Sequence, residues 1–158
     1  MRNAKAKRRR VEASAVATSS RWRPALELGV KEIDQQHKTL VAHTTALQDA
    51  ISGRKPKAAV AGLLADLVGL VTAHFAWEER LMESLGYEGY ADHQEAHRIL
   101  LEQIRGLHQE FLSGSASPGA GVALFVQVWV EHHIAGRDKQ FAEFTLKSND
   151  SRQKPLTP

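Results

Sequence analysis

The chain has 158 residues, 42% of them hydrophobic and 25% charged, a length for one domain and a balance too apolar for a wholly disordered polymer. Cysteine is absent, which excludes thiolate metal sites, iron–sulfur clusters and thiol catalysis. Charge is uneven: residues 1–23 carry eight Lys or Arg against Glu12 alone, a net +7, whereas 24–158 carry thirteen against seventeen acidic residues, a net −4.

Residues 1–21 mix Lys, Arg, Ala and Ser with no aromatic side chain, and such a segment buries too little to offset its ordering entropy, so a disordered basic tail is expected. With no aromatic residue to stack on bases, nucleic acid is not expected as its partner. A secretory signal needs an apolar core after the basic run, and Val11-Glu12-Ala13-Ser14 is not one; a cytoplasmic protein is expected. The run Val122–Val130, broken by Gln127, is far short of the roughly 20 apolar residues of a membrane span.

From Asp34 to Ile51, His37, Leu40, Val41, Thr44, Leu47 and Ile51 recur at helical spacing, with Asp34 where an N-cap belongs and Ser52-Gly53 as the stop. A second helix is expected from Pro56 to Leu85, its inner face Val60, Leu63, Leu64, Leu67, Val71, His74, Glu78, Met82 and Leu85, ended by Gly86. A third, Tyr90 to Leu112, aligns His93, His97, Leu100, Ile104, Leu107 and Phe111. Ser113–Gly119 is a loop by composition, and a fourth helix covers Ala120 to Leu146 with Val122, Val126, Trp129, His133 and Phe141 near one stripe. The polar residues 147–158, with two prolines, are expected to form a flexible C-terminal tail. Four long helices, short loops and no period-two alternation predict an all-α, antiparallel up-down four-helix bundle over residues 22–146.

Histidine spacing carries the chemistry. His74 and Glu78 lie at i, i+4, as do His93 and His97, so each pair projects from one helical face. His37 and His133 interrupt the apolar stripes of the first and fourth helices. One inward histidine is ordinarily a satisfied core residue. Five of them with an inward glutamate are different, since neutral imidazoles and one carboxylate cannot supply matched donors throughout, and each unmet group costs about 1–3 kcal/mol. A metal ion takes every lone pair at once. Asp138 follows His133 by five residues, about 140° off its direction in a regular α-helix. Either a π-type widening aligns the two, or the aspartate reaches in from the flank. His43, His108, His132 and Glu79 are read as lying outside this set, Glu79 as a solvated charge.

The chain resembles the bacterial single-domain hemerythrins across Trp22–Leu146. The resemblance is carried by LGVKEIDQQH ending at His37, HFAWEERLM from His74, YADHQEAH from Tyr90, and WVEHHI from Trp129 followed by Asp138. It implies a non-haem di-iron centre with an oxo or hydroxo bridge. His93, His97 and His133 would hold one iron, His37 and His74 the other, with Glu78 and Asp138 bridging and one position open on the second iron. It implies reversible binding of dioxygen for carriage, storage or delivery to oxygen-requiring client enzymes, and so a binding protein rather than an enzyme. Phe75, Trp129, Val130 and Ile134 would form an apolar oxygen pocket. Val130 stands where the family often has leucine, and Glu88 where proline commonly follows the tyrosine. The alternatives are a di-iron redox enzyme acting on peroxide or nitric oxide, and an oxygen or redox sensor.

Overall fold

A computed structural model describes residues 22–115 and 120–153, with the side chains of 120–125 and 149–153 left aside. The basic tail over 1–21 and the inward placement of Val122 lie outside what it describes. Its helices are α1 (Lys31–Ser52), α2 (Lys57–Leu85), α3 (Tyr90–Ser113), α4 (Ala120–His133) and α5 (Lys139–Gln153), with a π-helical turn, Ile134–Asp138, joining the last two. A short 3-10 turn, Pro24–Leu26, precedes them. No strand occurs among the described residues. The helix expected to end at Leu146 runs on to Gln153, so residues 147–153 extend it, and composition alone placed the boundary too early.

Each end has a physical cause. Asp34 is not the N-cap: Val30 holds that position in extended conformation. Asp34 sits one turn inside α1, where its carboxylate accepts the backbone N–H groups of Leu28 at 2.7 Å and Gly29 at 3.0 Å. The carboxylate thus caps the approaching loop rather than the helix, and favours the positive end of the helix dipole. Gly29 needs its freedom there, at φ +83°. At the far end of α2, Gly86 adopts the left-handed conformation (φ 63°, ψ 42°), and Tyr87 N–H returns to Met82 O at 3.0 Å, the bond of a Schellman motif.

α1 packs on α2 and α4, and α2 on α3. His37 comes from the start of α1, His74 and Glu78 from the second half of α2, His93 and His97 from the start of α3, and His133 from the end of α4. Only helices alternating in direction bring those positions to one level, which is the antiparallel bundle expected. The interior is layered along the axis. A large apolar cluster, including Leu40, Leu47, Leu64, Leu67, Leu100, Ile104, Phe111 and Val126, fills one side of the histidine level. A small one, Ile33, Met82 and Phe141 with Tyr87 and Phe144 against it, closes the other. Leu63, Leu85, Leu107, Ile51 and Trp129, assigned inward by periodicity, lie half-buried at the margins.

One described helix, α2, is long and apolar enough to cross a membrane by length and composition. Apolar content that the longest-run reading missed is explained by position: α2 is flanked by α1 and α3 and carries two polar groups, His74 and Glu78, into the interior.

Candidate metal centre

The four helices bring His37, His74, Glu78, His93, His97, His133 and Asp138 together, all seven buried. Their donor atoms form two groups, Glu78, His93, His97, His133 and Asp138 in one and His37, His74 and Asp138 in the other, the atoms of each lying within 4.8 Å of one another. Asp138 belongs to both. Its Oδ1 is 3.0 Å from Nε2 of His93 and of His133, while Oδ2 is 2.9 Å from Nε2 of His37. Glu78 Oε2 lies 3.3 Å from His97 Nε2, 3.6 Å from His93 Nε2 and 3.9 Å from His74 Nε2. Both carboxylates therefore face histidines of both groups.

The π turn decides the place of Asp138. In a regular helix residue 138 would point away from His133, but Ile134–Asp138 is π-helical and the two side chains converge. The widened turn, not a reach from the flank, delivers the aspartate.

The residues fit a metal. His37 Nδ1 and Nε2, Glu78 Oε1 and Oε2, His93 Nδ1, His97 Nε2 and Asp138 Oδ2 are buried without a hydrogen-bond partner. His37 Nε2 and Asp138 Oδ2 approach within 2.9 Å, so the aspartate brings the two donor groups together at one level. Each unmet buried group costs about 1–3 kcal/mol, and a cation at the shared level takes the lone pairs of His37 Nε2, His97 Nε2, Glu78 and Asp138 together, the Nδ1 atoms of His37 and His93 lying on the far side of their rings.

Protonation follows burial. Desolvation lowers His74 to about 3, assisted by neighbouring histidines and opposed by Asp138. It lowers His97 to about 2, with His133 and His93 adding to the effect. Both rings are thus neutral at pH 7, as ligands must be. Burial, then the negative charge of Asp138, holds Glu78 well above the usual carboxylate range. Burial also pushes Asp138 up, but His133, His37 and His93 outweigh it and hold the group well below that range. Without a cation the two carboxyls are thus pushed in opposite directions, Glu78 toward the acid and Asp138 toward the carboxylate; a cation favours both ionised.

Two partners outside the cluster were not expected. Gln36 Oε1 accepts the Nδ1–H of His74 at 2.9 Å, and Glu79 Oε1 accepts that of His97 at 2.9 Å. Glu79 is thus no solvated charge. Its neighbour on α3 binds it because α2 turns that edge toward the next helix. The available signal was chemical: a ligating imidazole usually donates its other N–H to a carboxylate or amide. His132 is exposed and His43 and His108 are half-buried, apart from the cluster as expected.

Phe75 stacks on His97, ring centroids 3.7 Å apart and 9° from parallel, and Trp129 on His133 at 5.0 Å and 10°. A cavity of about 10 Å³ lies beside the cluster, its walls including Phe75, Trp129, Val130 and Ile134 together with His74, His133 and Asp138. That is room for roughly one water-sized molecule.

A family model described as the Hemerythrin HHE cation binding domain matches residues 28–144. The chain belongs to the hemerythrin family. It is 31% identical over 122 residues to a bacteriohemerythrin of Pseudomonas paraeruginosa, covering 77% of this chain and 78% of that one. A bacteriohemerythrin of Methylococcus capsulatus is 31% identical over 109 residues, 68% of this chain and 82% of the other. The myohemerythrin of Riftia pachyptila is 28% identical over 120 residues, 76% and 88% of the two chains. A crystal structure of wild-type hemerythrin superposes with a TM-score of 0.73 at 28% identity, covering 77% of this chain and 94% of that one. Up-down four-helix bundles include myohemerythrin, and the hemerythrin fold here has the same layout.

Proposed function

We propose that the chain holds two iron ions in its seven-residue cluster and binds dioxygen reversibly, for carriage, storage or delivery to an oxygen-consuming enzyme. The observation that carries this reading is the pair of donor groups joined by one aspartate, with buried lone pairs left over in both. His93, His97 and His133 would hold one iron and His37 and His74 the other, with Glu78 and Asp138 spanning them. Imidazole and carboxylate suit iron, and a ferrous pair supplies electrons and a coordination position for dioxygen.

The protein's part is to fix and shelter that centre. Gln36 and Glu79 hold two of the rings with Nε2 directed inward. Phe75, Trp129, Val130 and Ile134 wall the small cavity with largely apolar surface, which excludes bulk water, and none of the four carries an acidic group. Reversible binding asks for such a pocket. Val130 in place of the family's frequent leucine leaves that wall one methylene shorter. With five histidines to two carboxylates the donor set also differs from the carboxylate-rich oxygen-activating sites built on Glu and Glu-x-x-His pairs, which favours a binder over an oxidising enzyme.

The test is the visible spectrum of the iron-loaded protein, reduced without oxygen, exposed to air and then degassed. Charge-transfer bands that come with air and leave on degassing are expected. An irreversible ferric spectrum would instead indicate an enzyme or redox sensor, and the absence of bands at two irons per chain would sink the reading.

A further inference from the structure

The two outer partners of the cluster differ in charge, and the difference falls on different halves. His74, in the two-histidine group, donates to a neutral amide, Gln36; His97, in the other group, donates to a carboxylate, Glu79. Glu79 is itself held from α3, where Gln94 donates to its Oε2 at 3.2 Å and also to Tyr90 Oη at 2.8 Å. Its side chain is 24% exposed, and no Lys or Arg is paired with it among the described ion pairs. The Phe75 ring lies flat against His97, so that imidazole is clamped by a stack on its face and a carboxylate at its edge. A groove of about 410 Å³ between α2 and α3 runs past Phe75, Glu79, Gln94 and His97, and another of about 400 Å³ between α1 and α2 runs past Gln36 and His74. Each outer partner therefore stands between solvent and one half of the centre.

We propose that Glu79 is a positioning residue of the metal centre, orienting His97 and making the His93, His97 and His133 half the one that favours the more highly charged metal. This rests on the metal-centre reading above. A carboxylate accepting from Nδ1–H fixes the tautomer and ring direction and raises the basicity of Nε2, and loss of such a partner typically costs 10–100-fold in metal affinity. Its negative charge also acts through a partly dry environment, where it is screened less than at the surface. Gln36 fixes its ring in the same way but brings no charge, so the two halves are alike in geometry and unlike in electrostatics.

The test uses the full chain, stripped of metal and titrated with cobalt(II), whose absorption reports coordination without any oxygen chemistry. Glu79→Ala is expected to weaken cobalt binding about 10–100-fold at one of the two sites. Glu79→Gln keeps an acceptor for His97 and is expected to restore affinity to within a few fold. In the iron-loaded protein, both variants are expected to shift one reduction potential in the positive direction, and Gln36→Glu to shift the other in the negative direction. Wild-type affinity in Glu79→Ala, or an unmoved potential in Glu79→Gln, would overturn the proposal. Equal loss of affinity in Glu79→Ala and Glu79→Gln would overturn it too, because the hydrogen bond would then not be what positions the ring. Failure of the unaltered chain to take up two cobalt ions is a separate result, which sinks the metal-centre reading itself.

Discussion

Two neighbouring levels of the bundle are equally dry and opposite in character. Leu67 and Ile104 in the apolar level, and Glu78 and Asp138 in the polar one, are all at 0% exposure. In the first, burial is the source of stability, about 25 cal/mol for each Å² of apolar surface removed from water. In the second, burial is a cost carried by atoms without partners. The lesson is that depth alone says nothing about what a residue contributes. The same packing that stabilises one level leaves the other with unmet polar groups, so fold and function make opposing demands within two or three helical turns of each other.

The sharpest way to separate them is truncation on the apolar side. Leu67→Ala is expected to cost about 2–5 kcal/mol, by urea denaturation, and equally with and without iron. A loss that iron repairs would mean the levels are not independent. On the polar side the sign should reverse. Glu78→Leu removes an acid whose oxygens are both unpartnered, so the metal-free chain should gain about 1–3 kcal/mol while iron per chain falls below two. Destabilisation of the metal-free variant would show that the level is satisfied without a cation.

Acid distinguishes the levels more gently. An unfolded chain protonates its histidines below about 6.5, whereas folded His74 and His97 refuse protons down to about 3 and 2. Their contribution is intact above 6.5 and is lost as pH falls below it. Glu78, raised in the fold, works the other way, losing stability as pH rises above the ordinary range. Two histidines against one acid leave a net loss of stability as pH falls from 6.5 to 5 in the metal-free protein, readable from urea midpoints. The smallest effect belongs to His132→Ala. This side chain is exposed, so stability should move by less than about 0.5 kcal/mol and the iron-to-protein ratio not at all. Loss of iron there would mean that the wrong histidine of the pair had been placed inside.

Most of this arrangement is legible in the sequence because helices write a period of 3.6 into their buried faces. His37, His74, Glu78, His93, His97 and His133 break apolar stripes and so announce themselves. Asp138 does not, since its spacing makes sense only through a local change of helix geometry, which the i, i+5 step merely permits. Gln36 and Glu79 were hidden for another reason. Each lies beside a stripe, and whether such a side chain meets solvent or a ring on another helix depends on helix rotation, which periodicity fixes too coarsely. Asp34 shows a further ambiguity: a carboxylate near a helix start can serve the helix or the loop before it, and here hydrogen bonding to Leu28 and Gly29 settles the choice.

The π turn also bears on which insertions and deletions this chain can absorb. Val126, Val130 and Ile134 face inward at steps of four, and after the turn Asp138, Phe141, Ala142 and Thr145 do so. A regular helix carried on from Val130 would present Arg137 and Phe144 instead, so the turn takes up one surplus residue and everything downstream is displaced by one. Removing a single residue from Ile134–Asp138, Gly136 for instance, would restore ordinary winding and still leave Phe141 and Thr145 pointing inward. The bundle is therefore indifferent to that residue's presence. What changes is the register of His133 and Asp138, from i, i+5 across a widened turn to the i, i+4 step by which His74 and Glu78 already share a face on a regular helix.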